Sequence, residues 1–214
     1  MSSWHSPQSI FSCSHRAVKD LLQGEAQVQE KVDGSFFAFG LYPEDLDDPS
    51  TPLSLKVRSK GAVMAPEAPE AMFKPAVLAV RERQALLTPG WMYRGETLAK
   101  PHHGALAYNR VPVGNVILFD ILTDEETYLG YGDLAAEAQR IGLEVVPQLH
   151  VGKVESFEQL RSFLGITSIL GGQLIEGVVV KPLVPCYGPD KKLLMMKLVS
   201  EAFKEVHSKA WKES

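Results

Sequence analysis

Gln29-Glu30-Lys31-Val32-Asp33-Gly34-Ser35 is the stretch on which the reading turns. It joins two strand-like runs, 26–31 and 35–39. A glycine three residues after a lysine permits a tight turn and a close backbone approach, so a phosphate has room beside the amine. A lysine at its ordinary pKa is charged and a poor nucleophile. Burial or neighbouring positive charge favours the neutral amine and makes it reactive. Taken alone, Lys-x-Asp-Gly equally describes a surface lysine in a hairpin turn, because four residues are easily matched by chance.

Outward from this stretch, short apolar runs bounded by Gly, Pro or Asp dominate. Beyond the first two they cover 53–59, 91–96, 114–121, 143–151, 174–181 and 192–198, and all read as strands. Helical spacing marks 68–83, 133–141, 156–163 and 201–209. In the second of these, Leu134, Ala138 and Ile141 recur on one face, Asp133 is the expected N-cap and Gly142 the expected stop. Turn formers and chain breakers place loops at 42–52, 100–104 and 182–190. Strands outnumber helices without regular alternation, which predicts an α+β domain of mainly antiparallel sheets flanked by helices. No repeat and no linker interrupts the chain, so residues 1–214 are expected to form a single domain.

The bulk composition narrows the function only a little. At 45% hydrophobic and 22% charged residues, the 214-residue chain is ordinary for a globular protein. No apolar run approaches the roughly 20 residues that span a bilayer, and the N-terminus lacks a secretory layout, so no membrane partner is expected. Cys13 and Cys186 form neither a disulfide framework nor metal-ligand spacing, which fits a reducing interior such as a cytoplasm. A net charge of −4 argues against coating nucleic acid by sheer positive charge. An enzyme with one basic groove remains compatible with it.

Further elements follow the lysine in a fixed order: Arg58-Ser59-Lys60-Gly61, Tyr93-Arg94-Gly95-Glu96, Leu118-Phe119-Asp120-Ile121, Glu176-Gly177-Val178-Val179-Val180-Lys181, and Lys197 with Glu201, Phe203 and Glu205 behind it. Together with Glu30-Lys31-Val32-Asp33-Gly34, they resemble the motifs of the covalent nucleotidyltransferases, the superfamily of DNA ligases, RNA ligases and mRNA capping enzymes. The likeness spans residues 30–205. Glu immediately before the lysine, the Phe-Asp-Ile element and the Lys197…Phe203…Glu205 ending resemble the RNA ligase branch that includes the phage double-strand RNA ligases. The implied fold is the nucleotidyltransferase (ATP-grasp-like) domain. Only 17 residues follow Lys197, so no C-terminal oligonucleotide-binding barrel is expected.

The resemblance implies three steps. Lys31 attacks the α-phosphate of ATP and expels pyrophosphate, AMP passes to a 5′-phosphate, and a 3′-hydroxyl displaces AMP and seals the strand. It assigns Glu30 and Gly34 to the nucleotide site beside Lys31, Lys181 and Lys197 to the α-phosphate, Glu96 to the ribose hydroxyls and Phe119 to the adenine face. Arg58 would hold a phosphate or the 3′-hydroxyl end, and Glu176 a hydrated Mg²⁺ (or Mn²⁺), which seldom takes more than one or two carboxylates. Asp33 shapes the turn. Each has a plainer alternative: a strand-end lysine for Lys181 and Lys197, a core ring for Phe119, a solvated strand arginine for Arg58, a surface carboxylate for Glu176. His102-His103 reads as a solvated loop, Asp124-Glu125-Glu126 as a solvated turn, and Lys191-Lys192 as a surface pair or a nucleic-acid contact.

One position departs from the pattern. The fifth motif in this superfamily usually reads Lys-x-Lys, and here its first lysine is Met195, leaving Lys191 or Lys192 to supply the cation from a shifted register. The expected partner is nicked or broken RNA, with an accessory protein standing in for the missing clamp domain. Two other functions compete: a minimal ATP-dependent DNA ligase, and a nucleotide- or nucleic-acid-binding protein that has lost ligation.

Overall fold

In the computed structural model, residues 4–8, 10–125, 127–188 and 193–205 are described. The expected lysine pair 191–192, Glu126 and the end of the last expected helix, 206–209, lie outside them. Among the described residues, twelve strands run in chain order: β1 (Phe11–Ser12), β2 (Glu25–Lys31), β3 (Ser35–Pro43), β4 (Leu53–Ser59), β5 (Val63–Met64), β6 (Met92–Thr97), β7 (Val116–Asp124), β8 (Thr127–Tyr128), β9 (Glu144–Val145), β10 (Gln148–Lys153), β11 (Gly177–Pro182) and β12 (Met196–Val199). Among the described residues, the helices α1 (Lys74–Glu82), α2 (Tyr131–Arg140) and α3 (Phe157–Ser162) lie between them, and residues 201–205 are helical where the last helix is expected. The class is α+β with mainly antiparallel sheets flanked by helices, as the pattern predicts.

The strands sort into two sheets, each the frame of one compact unit. Unit 1 comprises Met1–Pro7, Gly34–Pro101 and Val111–Val145. Its sheet runs β5-β4-β3-β6-β7-β8, with β9 parallel to β7. Alternation along β3 and β4 sends Phe37, Phe39, Leu41, Leu55 and Val57 into a core with α1 and α2, which contribute Ala76, Val77, Val80, Leu134 and Ala138. The other face carries a smaller apolar group around Ala38, Tyr42, Met92, Leu122 and Trp4. Unit 2 comprises Gln8–Asp33, His102–Arg110 and Val146–Ser214. Its sheet runs β1-β12-β11-β2-β10, and Ala26, Val28, Val178, Val180, Met196 and Leu198 face a core closed by Leu160 and Ile175.

Several boundaries move for local reasons. The helix expected over 68–83 begins only at Lys74, with Pro75 in its first turn where a missing N–H costs nothing. Pro66 and Pro69 keep the preceding stretch in turns. The run 143–151 splits into β9 and β10 around Pro147, which has no N–H to give a ladder and whose carbonyl instead accepts the Glu30 N–H at 3.1 Å. Asp133 does not cap α2. Gly130 holds the N-cap position and Asp133 sits in the first turn, where its charge still favours the helix dipole. Gly142 does stop the helix, at φ 69°.

Candidate active site

Lys31 ends β2 and Ser35 opens β3, but the two strands are not a hairpin. β2 pairs with β10 and β11, whereas β3 pairs with β4 and β6. The plain hairpin reading of the Lys-x-Asp-Gly turn therefore fails.

Register decides what β2 presents. Val28 and Ala26 point to the core, so Gln27, Gln29 and Lys31 share the opposite face. Antiparallel pairing sets Gly177 across from Lys31, Val179 across from Gln29 and from Lys197, and Lys181 across from Gln27. Lys31, Lys181 and Lys197, from three strands, thus stand on one face of one sheet. Lys181 is 4% exposed, far from the solvated strand end of the plainer alternative. Gln29 is equally buried, and its Oε1 has no hydrogen-bond partner, which leaves an acceptor for a ligand N–H or O–H on this same face.

The Lys31 Nζ donates to Glu176 Oε2 at 2.7 Å, with side-chain exposures of 23% and 5%. Burial pushes the Glu176 carboxyl above its ordinary value; the charges of Lys31 and Lys197 oppose that shift and Asp33 adds to it. A pocket of about 390 Å³ opens here, lined by Lys31, Asp33, Glu176, Lys197, Val199, Phe203 and Lys204. Met195, at the first position of the fifth motif, is buried, and Lys204 adds a cation to the lining.

The turn after Lys31 is held from its far side. The Asp33 N–H donates to the Tyr108 hydroxyl at 2.8 Å, and the Asp33 carboxylate accepts the Leu106 N–H at 2.7 Å. Gly104 lies flat against that carboxylate; a Cβ there would stand 2.5 Å from its oxygens. Asp33 does shape the turn, by anchoring the 102–108 loop. Glu30 is likewise occupied. Its carboxylate accepts the Ser168 hydroxyl at 2.5 Å and the Ile169 N–H at 3.1 Å, and burial raises its pKa against both bonds. The geometry gives this side chain a loop to hold.

The remaining expected residues belong to unit 1. Phe36 pairs with Glu96 and Ala38 with both Arg58 and Arg94, which puts Arg58, Arg94 and Glu96 on the sheet face away from the main core. Between β6 and β7 the pairing steps from Arg94↔Asp120 to Gly95↔Leu118, making Phe119 the extra residue of a β-bulge. Leu118 and Ile121 both keep to the core, and the bulge frees the Phe119 ring to meet Phe36 at 6.2 Å. Phe119 is half-buried, not the core ring of the plainer alternative. Gly34 stands where a Cβ would press on the Thr97 carbonyl at 2.9 Å. The sequence assigned no role to Arg94, Gln29, Ser168 or Tyr108. Gln29 and Arg94 did carry a signal, each standing two residues from an expected site residue, Lys31 and Glu96.

A scan of family models matches residues 24–199 to the model described as RNA ligase. The chain belongs to the RNA ligase family. A search of curated proteins by sequence finds no match. Among solved structures, the chain is similar to the RNA ligase of Naegleria gruberi with pyrophosphate, at 17% identity and a TM-score of 0.69 over 98% of this chain and 59% of that one. Variants of the same ligase with ATP and Mn (19%, 0.69, 95% and 58%) and with AMP and Mn (19%, 0.70, 97% and 60%) match alike. At that identity the likeness shows the fold, which is that of an RNA ligase nucleotidyltransferase domain. The chain spans less than two thirds of the ligase chains it matches.

Proposed function

We propose that this RNA ligase family member is an ATP-dependent enzyme that seals 3′-hydroxyl and 5′-phosphate RNA ends through AMP bound covalently to Lys31. The observation that carries the reading is the pairing of part-buried Lys31 with buried Glu176, set in a pocket that Lys197 also lines. We read residues 1–214 as one adenylyltransferase domain.

In the first step the Lys31 amine attacks the α-phosphorus, a phosphoramide N–P bond forms and the bond to pyrophosphate breaks. The lysine proton must leave for the amine to attack, and Glu176, 2.7 Å away, is placed to take it. Lys181 and Lys197 offset charge that accumulates on the α-phosphate, and they favour a neutral Lys31. The AMP then passes to a 5′-phosphate oxygen, and attack of a 3′-hydroxyl releases it. Glu96 is assigned to the ribose hydroxyls, Phe119 to the adenine face and Arg58 to a phosphate.

Among the described residues no group of three or more His, Cys, Asp or Glu side chains could hold a metal. Asp33 and Glu176 are the carboxylates of the pocket, and Asp33 is engaged by Leu106. Such a donor set suits a hydrated Mg²⁺ or Mn²⁺ bound largely by substrate phosphates, with Glu176 as its protein ligand. The ion's part is to withdraw charge from the α-phosphate.

Incubation with α-labelled ATP and Mg²⁺, followed by denaturation, should leave label on the chain, with little from GTP and none on Lys31→Ala. Label surviving Lys31→Ala ends the mechanism. Sealing assays on nicked RNA, nicked DNA and mixed duplexes then test the substrate, and activity on DNA alone refutes RNA.

A further inference from the structure

Ala38 on β3 has Arg58 beside it on one flanking strand and Arg94 on the other. Only a methyl group separates the two guanidinium-bearing positions, and both side chains are buried, Arg58 at 6% and Arg94 at 2% exposure. Burial and the Arg94 charge both lower the Arg58 pKa.

Their partners are poor for buried cations. Arg58 Nη2 donates to the Ser6 hydroxyl at 2.6 Å and its Nε to the Ser59 carbonyl at 3.4 Å. Arg94 Nη1 reaches the Tyr128 hydroxyl at 3.4 Å, its Nη2 meets the His5 ring at 3.3 and 3.5 Å, and its buried Nε has no partner. Asp120 is the cross-strand neighbour of Arg94, yet among the described residues no ion pair joins a carboxylate to either guanidinium. Arg140, by contrast, grips Glu137 through two donors at 2.7 and 2.6 Å. Neutral acceptors repay little of the desolvation of a guanidinium, whereas a phosphate offers charged oxygens in matching fork geometry.

Residues 4–6 lie across this pair. Trp4 packs on Tyr42 at 5.1 Å and stands 6.0 Å from the Arg58 guanidinium, while His5 and Ser6 supply the contacts above. We propose that Arg58 and Arg94 together form a phosphate-binding site on unit 1, covered by residues 4–6, which a bound phosphate displaces. This extends the role given to Arg58 alone by adding a second guanidinium and a removable cover. The ligand class is a phosphate group, carried by a nucleotide or by a nucleic-acid strand.

The test is equilibrium binding by the full chain, without divalent metal, followed by tryptophan emission. The separate arms are ATP, a 5′-phosphorylated RNA and its 5′-hydroxyl counterpart. In whichever arm binds, Arg94→Met should weaken affinity about tenfold, the scale of one charge-assisted bond, and Trp4→Phe should abolish the emission change. Joint His5→Ala and Ser6→Ala substitution should tighten binding about threefold, as a competing cover is loosened. Unchanged affinity in Arg94→Met, an emission change that survives Trp4→Phe, or a cover variant that binds as the parent does would each overturn the proposal. Should Arg94→Met not fold, the cover variant and Arg94→Lys, expected to bind about threefold more weakly, decide it. The assay needs no adenylylation, so its outcome is independent of whether Lys31 takes label.

Discussion

Glu30 and Ser168, 138 positions apart in the chain, are joined by a 2.5 Å hydrogen bond from the Ser168 hydroxyl to the Glu30 carboxylate. The bond ties the residue before Lys31 to the loop that precedes Glu176. Burial holds the Glu30 carboxyl above its ordinary value of 4.5. The folded chain then binds that proton more tightly than the unfolded chain, and this group's contribution to stability falls as pH rises from the ordinary carboxylate range through the raised pKa.

Ser168→Ala removes a donor to a buried charge and should cost about 2 kcal/mol at neutral pH. Thermal melts should show the deficit shrinking in acid, once Glu30 is protonated. An equal deficit at all pH values would show that the loss is packing alone.

Glu176→Gln keeps the size of the side chain while removing its charge and, with it, the proton-accepting role proposed for it. Self-adenylylation, measured as label transferred per minute, should fall about a hundredfold. A rate within twofold of the parent would remove Glu176 from the chemistry.

Gly177→Ala tests why the Glu176-Gly177 motif needs its glycine. A Cβ at Gly177 would collide with the Leu198 carbonyl oxygen on β12. That strand carries Lys197, so the whole face is expected to shift. We expect a loss above about 3 kcal/mol, read as a collapse in soluble yield or melting temperature. Normal stability would mean that β12 can move aside.

Phe119→Ala removes the ring from the β-bulge. If the ring stacks on adenine, the KM for ATP should rise about tenfold with kcat little changed, the scale of one stacked base. Phe119→Leu should fall between the two. A change in kcat alone would point to a different role.

Glu137, at the core edge of unit 1, provides the opposite pH sign. Burial raises its pKa, but bonds from Arg140 and Tyr93 outweigh this and leave it lowered. Its stabilisation is present above the ordinary carboxylate range and is lost as pH falls through the lowered pKa. Glu137→Gln should therefore cost about 1–2 kcal/mol at neutral pH and less in acid, as followed by melting.

The strand-rich class was legible because short apolar runs closed by Gly, Pro or Asp are a local signal. Lys31 stood out because the ordered run of motifs around it resembles that of the nucleotidyltransferases. Helix starts and strand breaks were less legible where proline or a distant carbonyl intervened, as at Pro75 and Pro147. Sequence alone also could not show that Lys181 is buried, that Phe119 sits in a bulge, or that Glu30 spends its carboxylate on Ser168. Those facts depend on register between strands far apart in the chain, and register is set by which apolar faces find a common core. The sequence determined which side chains could do the chemistry; the tertiary pairing of β2, β11 and β12 decided that three lysines share one face.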